Sequence, residues 1–180
     1  RLTRADRASD APVPDADAAF TTERGVVCAV QVADCLPVLF AAPGGRGVGA
    51  AHAGWRGLAA GVLEATVNAL CDAAGCQPAE LQAWLGPCMG PRQFEVGADV
   101  LTAFAGSLER ADPERFKARA PGKWLANLPL LARDRLHASG LTAVHGGRWC
   151  TVENGSRFFS YRRDGITGRM AALVWIDGIA

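Results

Sequence analysis

A histidine, a tryptophan, an arginine and three glycines fall within the ten positions of residues 49–58, GAAHAGWRGL. That mixture suits a site better than plain core, because glycine allows backbone or ligand to come close where a side chain would block it. The run VADCLPV at 32–38 adds a thiol, Cys35, beside a carboxylate, Asp34. Thiolate and imidazole are soft and borderline donors of the kind a catalytic zinc takes when three protein ligands leave one position open. Cys35 and His52 are therefore the candidate catalytic residues and metal ligands. The same two residues would also fit a buried structural cysteine and a hydrogen-bonded core histidine. Asp34 beside the thiol, and a glycine-flanked histidine on a loop that leads into a helix, favour chemistry. A second chemical reading makes Cys35 a nucleophile with His52 as its base. Arg56 is expected at the start of that helix, where free N–H groups and a guanidinium could hold a phosphate. Arg56 and Gly57 are thus the candidate phosphate-binding residues, with Arg56 also counted as catalytic. The competing account of Arg56 is a surface salt bridge.

The rest of the chain narrows the class. Its 180 residues suit one domain, 1–180. Nineteen basic and 18 acidic residues leave a net charge of +1, without the basic footprint of a nucleic-acid or anionic-membrane partner. A small molecule fits better. The longest apolar run, 26–42, is interrupted by Gln31 and Asp34 and is shorter than the roughly 20 residues a spanning helix needs. Six cysteines without a C-x-x-C pair argue against a disulfide scaffold and for a reducing, cytoplasmic setting.

The elements that must position these residues follow from periodicity. Residues 1–19 read as an irregular lead-in. The valine-rich stretch 26–40, interrupted by Asp34 and Pro37, reads as a strand, a break at Cys35 and a continuation. Residues 47–52 form the next strand, paired with or beside the previous one, so that Cys35 and His52 sit at strand ends. Three- and four-residue spacing predicts a helix from about 57 to 74, stopped by Gly75 and Pro78. A short strand at 81–85, a helix at 97–104, a charged surface excursion at 110–122 and a helix at 125–139 come next. Strands are expected at 142–145, 158–161 and 170–175. Cys71, Cys76, His137 and His145 fall in ordinary packing positions and are expected to be structural, whereas Cys88 could border the pocket. Several strands in succession at the C-terminal end favour an α+β layering over a doubly wound sheet.

The blocks VADCLPVLF at 32–40, AAHAGWRGL at 50–58, WLGPCMGPRQFEVG at 84–97, GKW at 122–124, and CT at 150–151 followed by FFSYRRDGITGRMA at 158–171 resemble the YfiH-like family. Its members carry laccase-domain or polyphenol oxidase labels and are also described as multifunctional purine nucleoside enzymes. The resemblance implies an α+β fold, a mixed β-sheet sandwich with helices packed on the outside. It further implies zinc held by a His, a Cys and a His, with the Cys at Cys35 and the second His at His52. The first His belongs to a Gln-Val-His-Gly run in the family's N-terminal portion, expected upstream of Arg1. Arg92-Gln93-Phe94 and Asn127 depart from the family's common pattern at positions expected to touch substrate.

The function implied is zinc-dependent phosphorolysis of adenosine, inosine or methylthioadenosine, with adenosine deamination as an accompanying activity and nucleoside and phosphate as the partners. A peptidoglycan-editing amidase or a Cys-His hydrolase is the alternative. Copper, suggested by the family label, is disfavoured, because a multicopper oxidase needs many more imidazoles than the three histidines here.

Overall fold

The computed structural model describes residues 1–7, 15–107 and 110–177. Three sheets make up the strand framework. The largest runs β1 (Ala18–Thr21), β4 (Val48–Ala53), β3 (Leu36–Ala41), β5 (Gln82–Leu85) and β9 (Ala143–Gly146) in that spatial order. All neighbours in it are antiparallel except β5 and β9. A two-stranded sheet pairs β2 (Val27–Val32) with β10 (Met170–Trp175), and a three-stranded one is ordered β6 (Glu95–Val96), β8 (Lys123–Ala126), β7 (Phe116–Ala120).

Burial along β2, VCAVQV, alternates strictly, and Cys28, Val30 and Val32 turn inward. Cys28 and Val30 pack on Ala50 of β4, joining the small sheet to one face of the large one. The other face carries the main core, where Leu36, Val38 and Phe40 meet Leu63, Val67 and Leu70 of helix α2 (Val62–Ala74) and Leu131 and Leu136 of α4 (Leu128–Ala138). Strand β4 is covered on both sides, which is why its sequence, VGAAHA, is nearly all small residues. The result is the expected α+β sandwich with helices outside.

The helix predicted over 57–74 is two helices, α1 (Trp55–Ala59) and α2, because Gly61 adopts φ 92° and breaks the ladder between them. Gly75, at φ 60°, stops α2 as expected. Helix α3 spans Ala98–Ala105. The excursion at 110–122 contains strand β7, which folds back on β8, and α4 starts only at Leu128, where the Asn127 side chain accepts from Leu130 N–H at 3.2 Å. Residues 158–161 are not a strand. Ser160 caps a single helical turn, α5 (Tyr161–Asp164), by accepting from the Arg163 N–H. Within the lead-in, Arg4–Arg7 form a 3-10 turn, while 8–14 lie outside the described residues. Among the described residues no helix is long and apolar enough to cross a membrane.

Candidate active site

Strands β3 and β4 pair with Pro37 opposite His52 and Leu36 opposite Ala53, so Cys35, one residue before β3, lies at the same end of the sheet as His52. Their side chains come side by side there, both next to Gly54. Gly54 makes room for this, since a Cβ there would stand 3.1 Å from Cys35 Sγ and 3.8 Å from His52 Cε1. The other side of the imidazole is held by a residue that sequence reasoning missed. Asp17 accepts the His52 backbone N–H on its carbonyl at 2.7 Å, and its Oδ1 lies 3.1 Å from Nδ1. The imidazole is raised from its ordinary value to about 9, chiefly by the adjacent Cys35 side chain and further by Asp17, while burial works against both.

Asp34 does not face the imidazole. It is buried, at φ 90°, the single non-glycine residue with positive φ among those described. Its Oδ1 accepts from the Thr151 hydroxyl at 2.5 Å, its Oδ2 from the Arg162 N–H at 2.7 Å, and its carbonyl from the Met89 N–H at 2.9 Å. One short side chain thus ties the β2–β3 turn to the Gly-Pro-Cys-Met loop, to the Cys-Thr segment and to α5. Its spacing next to Cys35 was the only trace of this in the sequence.

These loops enclose a cavity of about 310 Å³ bordered by Asp34, Cys35, Trp55, Arg56, Phe94 and Arg162 among others. Arg56 faces it and stacks on Trp55, 4.5 Å from the ring centre. Gly57 does not border it. Its Cα side points to Asp17, whose Oδ2 would lie 3.6 Å from an added Cβ, and the neighbouring Leu58 N–H is taken by the Gly54 carbonyl at 2.8 Å. An anion in this cavity is therefore met by side chains rather than by the first turn of a five-residue helix. Of the sequence departures, Phe94 borders the cavity, whereas Arg92 forms a bidentate pair with Glu153 at 3.0 and 2.6 Å and Asn127 is a helix cap. Cys88 is fully buried, its thiol pushed up by desolvation. Cys71 and Cys76 pack in the core as expected, and His145 lies on the edge strand β9.

Residues 1–177 match the family described as multi-copper polyphenol oxidoreductase laccase. The chain belongs to that family. It is also 51% identical over 162 residues to a purine nucleoside phosphorylase of Pseudomonas aeruginosa, covering 90% of this chain and 65% of the relative. Against purine nucleoside phosphorylase YfiH of Escherichia coli the identity is 48% over 161 residues, 89% of this chain and 64% of the relative. A crystal structure of a Neisseria meningitidis protein aligns with TM-score 0.86 at 50% identity, over 93% of this chain and 67% of the other. This laccase-family chain thus spans just under two thirds of the length of those two curated relatives.

The donor chemistry fits zinc. Cys35 and His52 offer sulfur and nitrogen at one sheet end, and a carboxylate on Nδ1 would leave Nε2 free to ligate, the usual arrangement around a zinc-bound histidine. Among the described residues no set of three His, Cys, Asp or Glu side chains could hold an ion.

Proposed function

We propose that this chain carries the catalytic core of a zinc-dependent purine nucleoside phosphorylase. The observation that carries the reading is the convergence on one cavity of Cys35, in contact with His52, and Arg56, a cation without a carboxylate partner among the described residues. Names of the curated relatives support the same reaction class. Zinc, when held by Cys35, His52 and a further ligand, supplies Lewis-acid polarisation of a substrate oxygen.

The chain's own residues provide the rest. Trp55, Phe94 and Tyr161 give aromatic walls on which a purine can stack. Arg56 holds phosphate so that one of its oxygens approaches C1′ of the ribose. The C1′–O bond forms as the bond from C1′ to the purine nitrogen breaks. The base leaves with the electron pair and takes up a proton, giving free purine and ribose 1-phosphate. Adenosine deamination belongs to this reading as an accompanying activity, in which a water adds at the purine C6, its protons pass to the exocyclic nitrogen and a ring nitrogen, and ammonia leaves to give inosine.

The contact chain from Cys35 through His52 to Asp17 also has the connectivity of a thiol nucleophile with its base and orienting carboxylate, so a Cys-His hydrolase is the second reading. The deciding experiment supplies inosine with and without inorganic phosphate and measures ribose 1-phosphate, alongside zinc content. Phosphate-dependent release that disappears on Arg56→Ala, with zinc retained, is the expected result. Cleavage indifferent to phosphate overturns the phosphorylase reading, and full activity of zinc-free protein that is lost on Cys35→Ser favours the hydrolase.

A further inference from the structure

Arg162 stands across the cavity's sequence map from Arg56, more than 100 positions away, yet both line the same cavity. Each is solvent-exposed, and neither forms an ion pair among the described residues. The nearby carboxylates are already engaged. Glu95 pairs with Arg119 at 3.1 Å, and Asp164 is bound twice by Arg163 at 2.7 Å. Asp34 spends one oxygen on Thr151 and the other on the backbone of Arg162 itself, not on its guanidinium. Among the described residues, the one hydrogen bond of that guanidinium is a long one, 3.4 Å, to the Glu95 carbonyl.

The backbone bond decides where Arg162 stands. Asp34 immediately precedes Cys35, so the 2.7 Å bond from the Arg162 N–H fixes the arginine's main chain to the residue beside the thiol, while Ser160 caps the same turn. The guanidinium is left free to swing into the cavity from a fixed point. The lining carboxylate, Asp34, pairs with neither guanidinium, so the two border one cavity as like charges, and an anion with several oxygens relieves that repulsion. Arg133 and Arg163 show the contrast, since their guanidiniums are absorbed by backbone carbonyls or by a neighbouring carboxylate.

We infer that Arg56 and Arg162 together form a two-arginine clamp for a phosphoryl dianion, with Asp34 as the positioning residue that sets Arg162 in place. This deepens the phosphorylase reading and rests on it for the identity of the anion's reaction, but not for its binding. The shared chemistry is a phosphoryl group, which can arrive as inorganic phosphate or as the phosphate of a sugar phosphate.

The clamp is tested by calorimetric titration of the protein with inorganic phosphate and, separately, with ribose 1-phosphate. Because Asp34 uses the main chain of Arg162, replacing the side chain leaves that bond intact, and a thermal melt without ligand checks that Arg162→Ala is folded. Arg56→Ala and Arg162→Ala are each expected to weaken phosphate binding about ten- to a hundredfold, and Arg162→Lys to restore part of the loss. Arg157→Ala, whose guanidinium stacks on Trp149 outside this cavity, should bind as wild type. Asp34→Asn should weaken binding less than Arg162→Ala and should not add to it in the double variant. Tighter binding of ribose 1-phosphate than of phosphate, lost in both arginine variants, assigns the clamp to the sugar phosphate as well. Wild-type affinity in Arg162→Ala, or no saturable binding of either ligand to the wild type, overturns the clamp. If both arginines are needed for binding yet inosine yields no ribose 1-phosphate, the clamp stands and the phosphorylase reading falls.

Discussion

Replacing Asp34 by alanine should be among the most damaging single changes outside the hydrophobic core. The substitution removes both acceptors of a buried carboxylate, leaving the Thr151 hydroxyl and the Arg162 N–H without partners, at about 1–3 kcal/mol each. It also places a Cβ-bearing apolar residue at φ 90°, which aspartate tolerates better because its short polar side chain suits left-handed backbone; that adds about 1 kcal/mol. The expected loss is roughly 3–7 kcal/mol, a large part of the total of about 5–15 kcal/mol available to an ordinary domain. Two companion variants separate the contributions. Asp34→Gly removes the same acceptors but is at ease at this φ, so it should be less destabilised than alanine by about 1 kcal/mol. Asp34→Asn keeps one oxygen acceptor and a tolerant backbone, and should lose about 1–3 kcal/mol. Urea unfolding followed by tryptophan fluorescence measures all three. An alanine variant within about 1 kcal/mol of wild type would show that the clasp is not what holds these loops.

Three further outcomes can be checked. Because the folded pKa of His52 lies at about 9, above the unfolded value of about 6.5, chelator-treated protein carries a stabilisation that is complete below about pH 6.5 and is lost as pH rises through 9. With the side chain 35% exposed, solvent screening brings the full linkage down to about 1–2 kcal/mol, and urea midpoints across that range should show a slope that His52→Gln removes; an identical slope in the variant would place the titration elsewhere. Asp17→Asn should weaken zinc retention about ten- to a hundredfold by unseating the imidazole, and equal zinc affinity in a chelator competition would make Asp17 a bystander. Gly146→Ala should prevent folding or lower stability by at least about 3 kcal/mol, since its Cβ would sit 2.2 Å from the Leu85 carbonyl at φ 78°; an unshifted melting temperature contradicts the geometry.

The pairing of Cys35 with His52 was legible because strand alternation and the break at Asp34 place both at ends of adjacent strands, and short-range hydrophobic period carries that information well. Arg56 was legible as a cavity residue for a similar reason, the strand-to-helix loop that carries it. Asp17 and Arg162 were not. Each reaches the site through contacts with a partner far off in sequence, 35 and 128 positions away, and no local pattern encodes such contacts. The misread turn at 158–161 shows the same limit, since FFSY has strand-like composition and only the Ser160 cap and the bond to Asp34 make the next residues helical. The split between α1 and α2 rests on one left-handed glycine in a window whose apolar spacing runs straight through it.

The pairing of β2 with β10 has a consequence for how the molecule is made. Val32 faces Met170 across that ladder, so β2 must wait for a strand that follows it by well over 100 positions. At a ribosomal pace of about 5–20 residues per second, that interval is on the order of ten seconds or more, during which the Cys28, Val30 and Val32 edge has no partner strand. The Asp34 clasp waits for the same part of the chain, because Thr151 and Arg162 lie 117 and 128 positions beyond Asp34. A nascent chain stalled before α5 can therefore fold much of its large sheet while its cavity remains unbuilt. The local β3–β4 hairpin and α2 are available from the start, whereas the small sheet, on which a finished site depends, closes only across a long sequence separation.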